Sequence, residues 1–179
     1  SSTVTLAAIQ NDQLWVAHIG DSRAYLIRNG QAHLLTRDHT RHQEILDAGG
    51  VPEADSNGVL PKQQLTRRLG RHERVDVDQR IIDLRQNAEE RLPEERLRYV
   101  SLLHLRSGDA LLLCTDGLSG SLNASRIAEI VSQNRSSKAA AERLVQEAKT
   151  AGSKDDISAL IVRYPTAGLR WFLSLLALA

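Results

Sequence analysis

Gly20-Asp21-Ser22-Arg23-Ala24-Tyr25-Leu26 joins a β-rich opening to the first of three acidic turns. Upstream, residues 2–9 and 13–19 are apolar, β-branched runs separated by Gln10-Asn11-Asp12, the pattern of a hairpin. Downstream, residues 23–27 form a third strand, and Asn29-Gly30 is a turn signal before a fourth at 31–35. The opening is therefore antiparallel β with short connections. The other acidic turns are Thr115-Asp116-Gly117-Leu118 and Gly152-Ser153-Lys154-Asp155-Asp156-Ile157. Each of the three puts an aspartate at the end of an apolar, strand-like run.

The chain of 179 residues carries a net charge of +1, long enough for one domain with a hydrophobic core and without the basic excess of a nucleic-acid binder. A single cysteine, Cys114, excludes an internal disulfide framework and a thiolate metal cluster. It sits inside Leu111-Leu112-Leu113-Cys114, which predicts a buried, inert thiol, and the composition suits a reducing cytoplasm. The chain opens on strand-like sequence and has no methionine, so we read it as a piece of a longer protein, cut inside a domain. We divide it into a main domain at 1–165 and an apolar tail at 166–179. At 169–179 the tail is shorter than the roughly 20 residues that span a bilayer. It reads equally as the start of a transmembrane helix, which would tether the protein to a membrane, or as a helix packing on another domain.

Between these runs, residues 38–48 read as a helix stopped by Gly49-Gly50. Residues 51–64 read as a loop or flap, 75–78 as an edge strand, and the Glu- and Arg-rich 86–98 as a solvated insertion. Residues 110–114 form a buried strand. Asn123 caps a helix carrying Ile127, Ile130 and Val131; Ser136 or Ser137 caps another with a stripe of Ala140, Ala141, Leu144, Val145 and Ala148. Residues 157–162 close the domain as a strand. A β core with helices outside is an α+β fold.

Magnesium and manganese prefer hard oxygen donors. Asp21, Asp116 and Asp155 would supply them, with Gly117 letting the backbone come close or take a positive φ. Each residue also has a plainer reading. Asp-Gly is a common turn pair, Asp155 and Asp156 could open a strand or bind nearby backbone N–H groups, and Asp21 could pair with Arg23. Lys62, Arg67, Arg68, Arg71 and Arg74 read as a solvated loop, or as an attractor for an acidic phosphopeptide. His39 packs or caps in its turn, while His18, His33, His42, His72 and His104 lack metal-ligand spacing.

Five blocks taken together are more specific. They are Gly20-Asp21-Ser22-Arg23-Ala24, Leu35-Thr36-Arg37-Asp38-His39, Leu65-Thr66-Arg67-Arg68-Leu69-Gly70, the run from Gly108-Asp109 to Asp116-Gly117-Leu118, and Gly152 to Ser158. In this order the chain resembles the metal-dependent serine/threonine protein phosphatases of type 2C, the PPM family, and its bacterial branch in particular. The resemblance covers about residues 2–163. It implies a four-layer fold, a β-sandwich of two antiparallel sheets flanked by helices, here incomplete at the N-terminus. It implies that Asp116 and Asp155 bind one of two core Mg2+ or Mn2+ ions and that Asp21 helps hold a third. Gly117, Asp156, Ser22, Arg23 and His39 would stand around them, and residues 44–66 would form a flap. The implied reaction is hydrolysis of phosphoserine and phosphothreonine on proteins by a metal-bridging water, without a covalent enzyme intermediate. The implied partners are phosphoproteins, with a Ser/Thr kinase or its targets, and no nucleic acid.

Two departures stand out. The family's Asp-Gly-x-Gly block, whose Asp bridges both metals, and an upstream phosphate-binding Arg have no match here. The chain alone is therefore expected to have little or no phosphatase activity, with an active longer parent. A pseudophosphatase, or a module that binds phosphoproteins without turnover, is the alternative. The second departure is Asp156, where the family often has Asn.

Overall fold

The computed structural model describes residues 2–54, 64–70, 74–85 and 97–165, together with the backbone of Phe172–Leu178. Two four-stranded antiparallel sheets dominate it. The first runs in the order β10 (Phe172–Leu178), β1 (Val4–Gln10), β2 (Gln13–Ile19), β7 (Leu103–His104). The second runs β4 (Gln31–Leu34), β3 (Arg23–Arg28), β8 (Ala110–Cys114), β9 (Ala159–Arg163). A two-stranded ribbon pairs β5 (Ile81–Ile82) with β6 (Tyr99–Val100). The helices are α1 (Arg41–Asp47), α2 (Asp116–Ser119), α3 (Ala124–Gln133) and α4 (Ser137–Thr150).

The strands form where the sequence alternates. In β1, Thr5, Ala7 and Ile9 turn inward, and across the pair Leu14, Val16 and His18 do the same from β2. All of β8 is buried because both its faces are covered. Leu111 and Leu113 join Ala7, Leu14, Val16 and Leu26 in a core between the two sheets. Ala110, Leu112 and Cys114 join Ile127, Ile130, Ala140 and Leu144 in a second core, beneath α3 and α4. Those helices start where expected. The Asn123 side chain accepts from the Arg126 amide, and Ser136, rather than Ser137, accepts from the Ala139 amide. Asn29 and Gly30 have φ of 53° and 75°, as a tight hairpin turn with the twist of its strands requires.

Buried ions pin the sheet ends. Arg28 grips Asp109 through two hydrogen bonds of 2.9 and 2.6 Å and also donates to the His104 carbonyl at 2.8 Å. Asp109, 2% exposed, further accepts from the Arg106 amide, which fixes the turn that feeds β8.

Several expectations are corrected. The 169–179 tail contains a strand rather than a helix. Its seven residues pair along the whole of β1, from Val4↔Leu178 to Gln10↔Phe172, satisfying a sheet edge that would otherwise be open. No helix among the described residues is long and apolar enough to cross a membrane. Residues 75–78 hold no strand, only an isolated bridge between Asp78 and His18. The closing strand begins at Ala159, not 157, because Ser158 is bonded to Thr115 instead. Of the expected flap, residues 44–47 lie in α1, and Arg41 and Thr66 bond Gln64 and His39 through the backbone. Residues 55–63 fall outside the described residues, as do Lys62, Arg71, His72 and residues 86–96 of the expected surface insertion.

Candidate metal centre and active site

Strand register brings the three acidic turns together. β3 and β8 are antiparallel with Arg23 opposite Cys114. Two residues beyond that pair lie Asp21 on one strand and Asp116 on the other, off the same end of the sheet. β8 and β9 are also antiparallel, with Cys114 opposite Ala159, so the chain entering β9 delivers Asp155 and Asp156 to that end as well. Asp21, Asp116, Asp155, Asp156, Gly117 and Arg23 all line one cleft of about 1240 Å³.

Local chemistry aims each group. Asp116 is the first residue of α2, and its fixed position comes from Thr115 just before it. The Thr115 hydroxyl donates to the Asp156 carbonyl at 2.8 Å and accepts from the Ser158 amide at 3.0 Å, stapling the β9 entry beside α2. Gly117 is needed for closeness and not for a positive φ: a Cβ there would lie 2.5 Å from the Asp156 carbonyl oxygen. Asp155 accepts from the Asp156 amide at 2.8 Å. Gly20 has φ of +107°, and a Cβ on it would fall 2.3 Å from a Thr3 methyl, so the Asp21 turn admits glycine alone. Ser22 lies behind that turn, buried, its hydroxyl 2.9 Å from the Thr3 hydroxyl while its carbonyl accepts from Thr5.

Arg23 does not pair with Asp21. It makes two hydrogen bonds to Asp38, at 2.9 and 2.7 Å, and a third to the Tyr25 hydroxyl. The clustered carboxylates feel one another. Burial, then Asp116 and Asp38, push the Asp21 pKa up to about 6. Burial and Asp155 raise that of Asp116. Oxygen donors held together against their own repulsion are what a hard divalent cation relieves, so the residues present fit Mg2+ or Mn2+.

A family model described as protein phosphatase 2C matches residues 1–157. The chain belongs to the protein phosphatase 2C family. Members of this family are metal-dependent serine/threonine protein phosphatases that use Mg2+ or Mn2+, and bacterial ones are prominent among the relatives. A serine/threonine phosphatase, stp, of Listeria welshimeri is 28% identical over 90% of this chain and 56% of its own length. Protein phosphatase PhpP of Streptococcus pneumoniae is 31% identical over 90% of this chain and 57% of its own. Among solved structures, the S. agalactiae serine/threonine phosphatase superposes with a TM-score of 0.70 at 28% identity, covering 90% of this chain and 59% of that one. The chain thus spans a little over half the length of the curated relatives it matches.

Within this phosphatase 2C chain, Cys114 is 1% exposed and burial pushes its thiol up to about 12, so it is no nucleophile. The sequence reading missed Asp38 and Thr115. Asp38 lines the cleft and Thr115 ties its walls. Their adjacency to His39 and Asp116 was the available signal. It also missed that His18, His39 and Asp78, distant in sequence, gather with their polar atoms within 4.8 Å of one another. His39 is buried and does not line the cleft.

Proposed function

We propose that this chain carries the Asp21, Asp116 and Asp155 part of a phosphatase metal centre, and that the protein hydrolyses phosphoserine and phosphothreonine on proteins. The observation that carries the reading is the arrival of three carboxylates, from three separate parts of the sequence, at one end of one sheet. Asp116 and Asp155 would hold a core cation, and Asp21 an accessory one. Bound Mg2+ or Mn2+ supplies water of lowered pKa and offsets charge on the phosphoryl oxygens. The chain's own share is to hold those carboxylates correctly spaced against the burial and mutual repulsion that raise the pKa of Asp21 and Asp116. Thr115, Gly117 and the Arg23–Asp38 pair do so from the cleft walls. Proteins phosphorylated by Ser/Thr kinases are the substrates, and the cytoplasm, which suits a lone free thiol, is the setting.

Calorimetric titration of the 179-residue chain with MnCl2 tests the metal part. Binding should fall at least about tenfold in Asp116→Asn and in Asp155→Asn. Undiminished binding in both variants overturns the assignment. In a longer protein containing this chain, Mn2+-dependent release of phosphate from a phosphothreonine peptide should disappear with Asp116→Asn. Binding of the peptide without release would mark a pseudophosphatase.

A further inference from the structure

Behind the cleft wall, the buried group of His18, His39 and Asp78 has the residue types of a transition-metal site. The contacts of His39 and Asp78 commit those two residues elsewhere. The Gly20 amide donates to Nδ1 of His39 over 3.1 Å. A ring nitrogen that accepts carries no proton, so in the neutral ring the proton sits on Nε2 and leaves no lone pair there for a metal. That Nε2 lies 3.7 Å from Oδ2 of Asp78, an electrostatic contact longer than a hydrogen bond. Asp78 is itself gripped by the Arg80 guanidinium at 3.0 and 2.7 Å. Burial raises its carboxyl, but His39 and Arg80 outweigh that and hold it well below the usual range, so it stays an anion.

The other neighbours agree with this tautomer. His18 stacks on His39, ring centroids 4.5 Å apart and planes at 15°. It donates Nε2–H to the Arg37 carbonyl at 2.7 Å, and burial lowers its pKa, so it adds no charge to the pair. Nη1 of Arg67 approaches Nε2 of His39 to 3.5 Å. Both atoms bear hydrogen in this state, so the contact is not a hydrogen bond, and a second cation beside the ring opposes a metal.

We propose that His39 is a positioning residue for Asp21: Asp78 and the His18 ring set the imidazole, and its Nδ1 fixes the Gly20 amide from which the Asp21 carboxylate is aimed. The His39 backbone grips the same residue, its N–H donating to the Gly20 carbonyl at 2.9 Å. With Thr3 closed against the other side of Gly20, the turn is held from two directions. The inference rests on Asp21 being a cation ligand, as proposed above.

Long-range proton–nitrogen NMR of the 179-residue chain reads the tautomer directly. The expected result is an Nε2–H His39 with slow solvent exchange at the Gly20 amide. An Nδ1–H ring, or ZnCl2 shifting the imidazole nitrogens of both His18 and His39 as metal ligands, overturns the proposal. Paramagnetic broadening by MnCl2 is the second arm. In His39→Asn, Oδ1 takes the place of Nδ1, and broadening around Asp21 should keep its Mn2+ dependence. In His39→Leu it should need about tenfold more Mn2+, the usual scale for an outer-shell partner, while broadening at Asp116 and Asp155 is unchanged. Equal loss at all three aspartates, or equal loss in the Asn and Leu variants, overturns it. If the wild-type chain shows no broadening at Asp116 or Asp155, the cation reading fails instead, and the tautomer and the Gly20 amide still decide the positioning.

Discussion

Asp21 concentrates the conflict built into this cleft. Its carboxyl is driven up from 3.8 to about 6 by burial, with Asp116 and Asp38 adding repulsion. A carboxyl with a raised folded pKa makes the folded state bind more protons than the unfolded one between those values. Stability from this group is therefore full below 3.8 and is lost as pH rises towards about 6. Asp21→Asn removes the penalty. Without divalent cations, the variant should match the wild type in urea unfolding at about pH 3 and exceed it by about 1 kcal/mol at about pH 7, a figure discounted for partial exposure. Adding MnCl2 at about pH 7 should reverse the order, since only the wild type gains the full linkage to a bound ion. A variant less stable than wild type at about pH 7 without metal would show that Asp21 makes a favourable contact that burial and repulsion do not describe.

At the scale of elements, the cleft depends on how α2 meets the chain entering β9. The sequence reading had the hairpin of β1 and β2, the buried β8, and the caps of α3 and α4, because each is written locally in alternation, apolar run length or a Ser or Asn at the boundary. It grouped Asp21, Asp116 and Asp155 as candidate cation donors from their turns, but put Asp116 and Asp155 on one shared ion only through the resemblance, since they are far apart in sequence and their meeting depends on strand register. It could not show Thr115 joining the two segments, because a single hydroxyl between carbonyl and amide leaves no periodic trace. The tail was misjudged for a related reason: a short apolar run has no period that separates helix from strand, and the β1 edge decided it. Gly117 tests the junction. A methyl there would press 2.5 Å from the Asp156 carbonyl oxygen, a backbone atom that Thr115 also holds. Gly117→Ala should cost about 1–3 kcal/mol in denaturant unfolding and weaken Mn2+ binding about tenfold, because the entry to β9 must move away from Asp116. Unchanged stability and binding would show that this junction yields freely.

On the scale of the whole molecule, β10 couples the far end of the chain to the cleft. β10 covers β1 along its length, and β1 carries Thr5, which bonds the Ser22 carbonyl beside Asp21. Just before β1 lies Thr3, whose side chain closes on Gly20 and Ser22. Deleting residues 166–179 would leave seven residues of β1 with open backbone donors and acceptors on one side. Such an edge pairs with another chain or frays. The truncated protein should therefore sediment as a concentration-dependent oligomer while the 179-residue chain does not change with concentration. Hydrogen exchange should quicken in β1 and at residues 20–22, but not in α3 and α4, whose core lies on the other sheet. Mn2+ broadening around Asp21 should weaken with that loosening, whereas Asp116 and Asp155, set by β8 and β9, keep theirs. Protection in β1 that survives the deletion, with unchanged sedimentation, would mean that β1 is held by β2 alone and that the tail has no hold on the cleft.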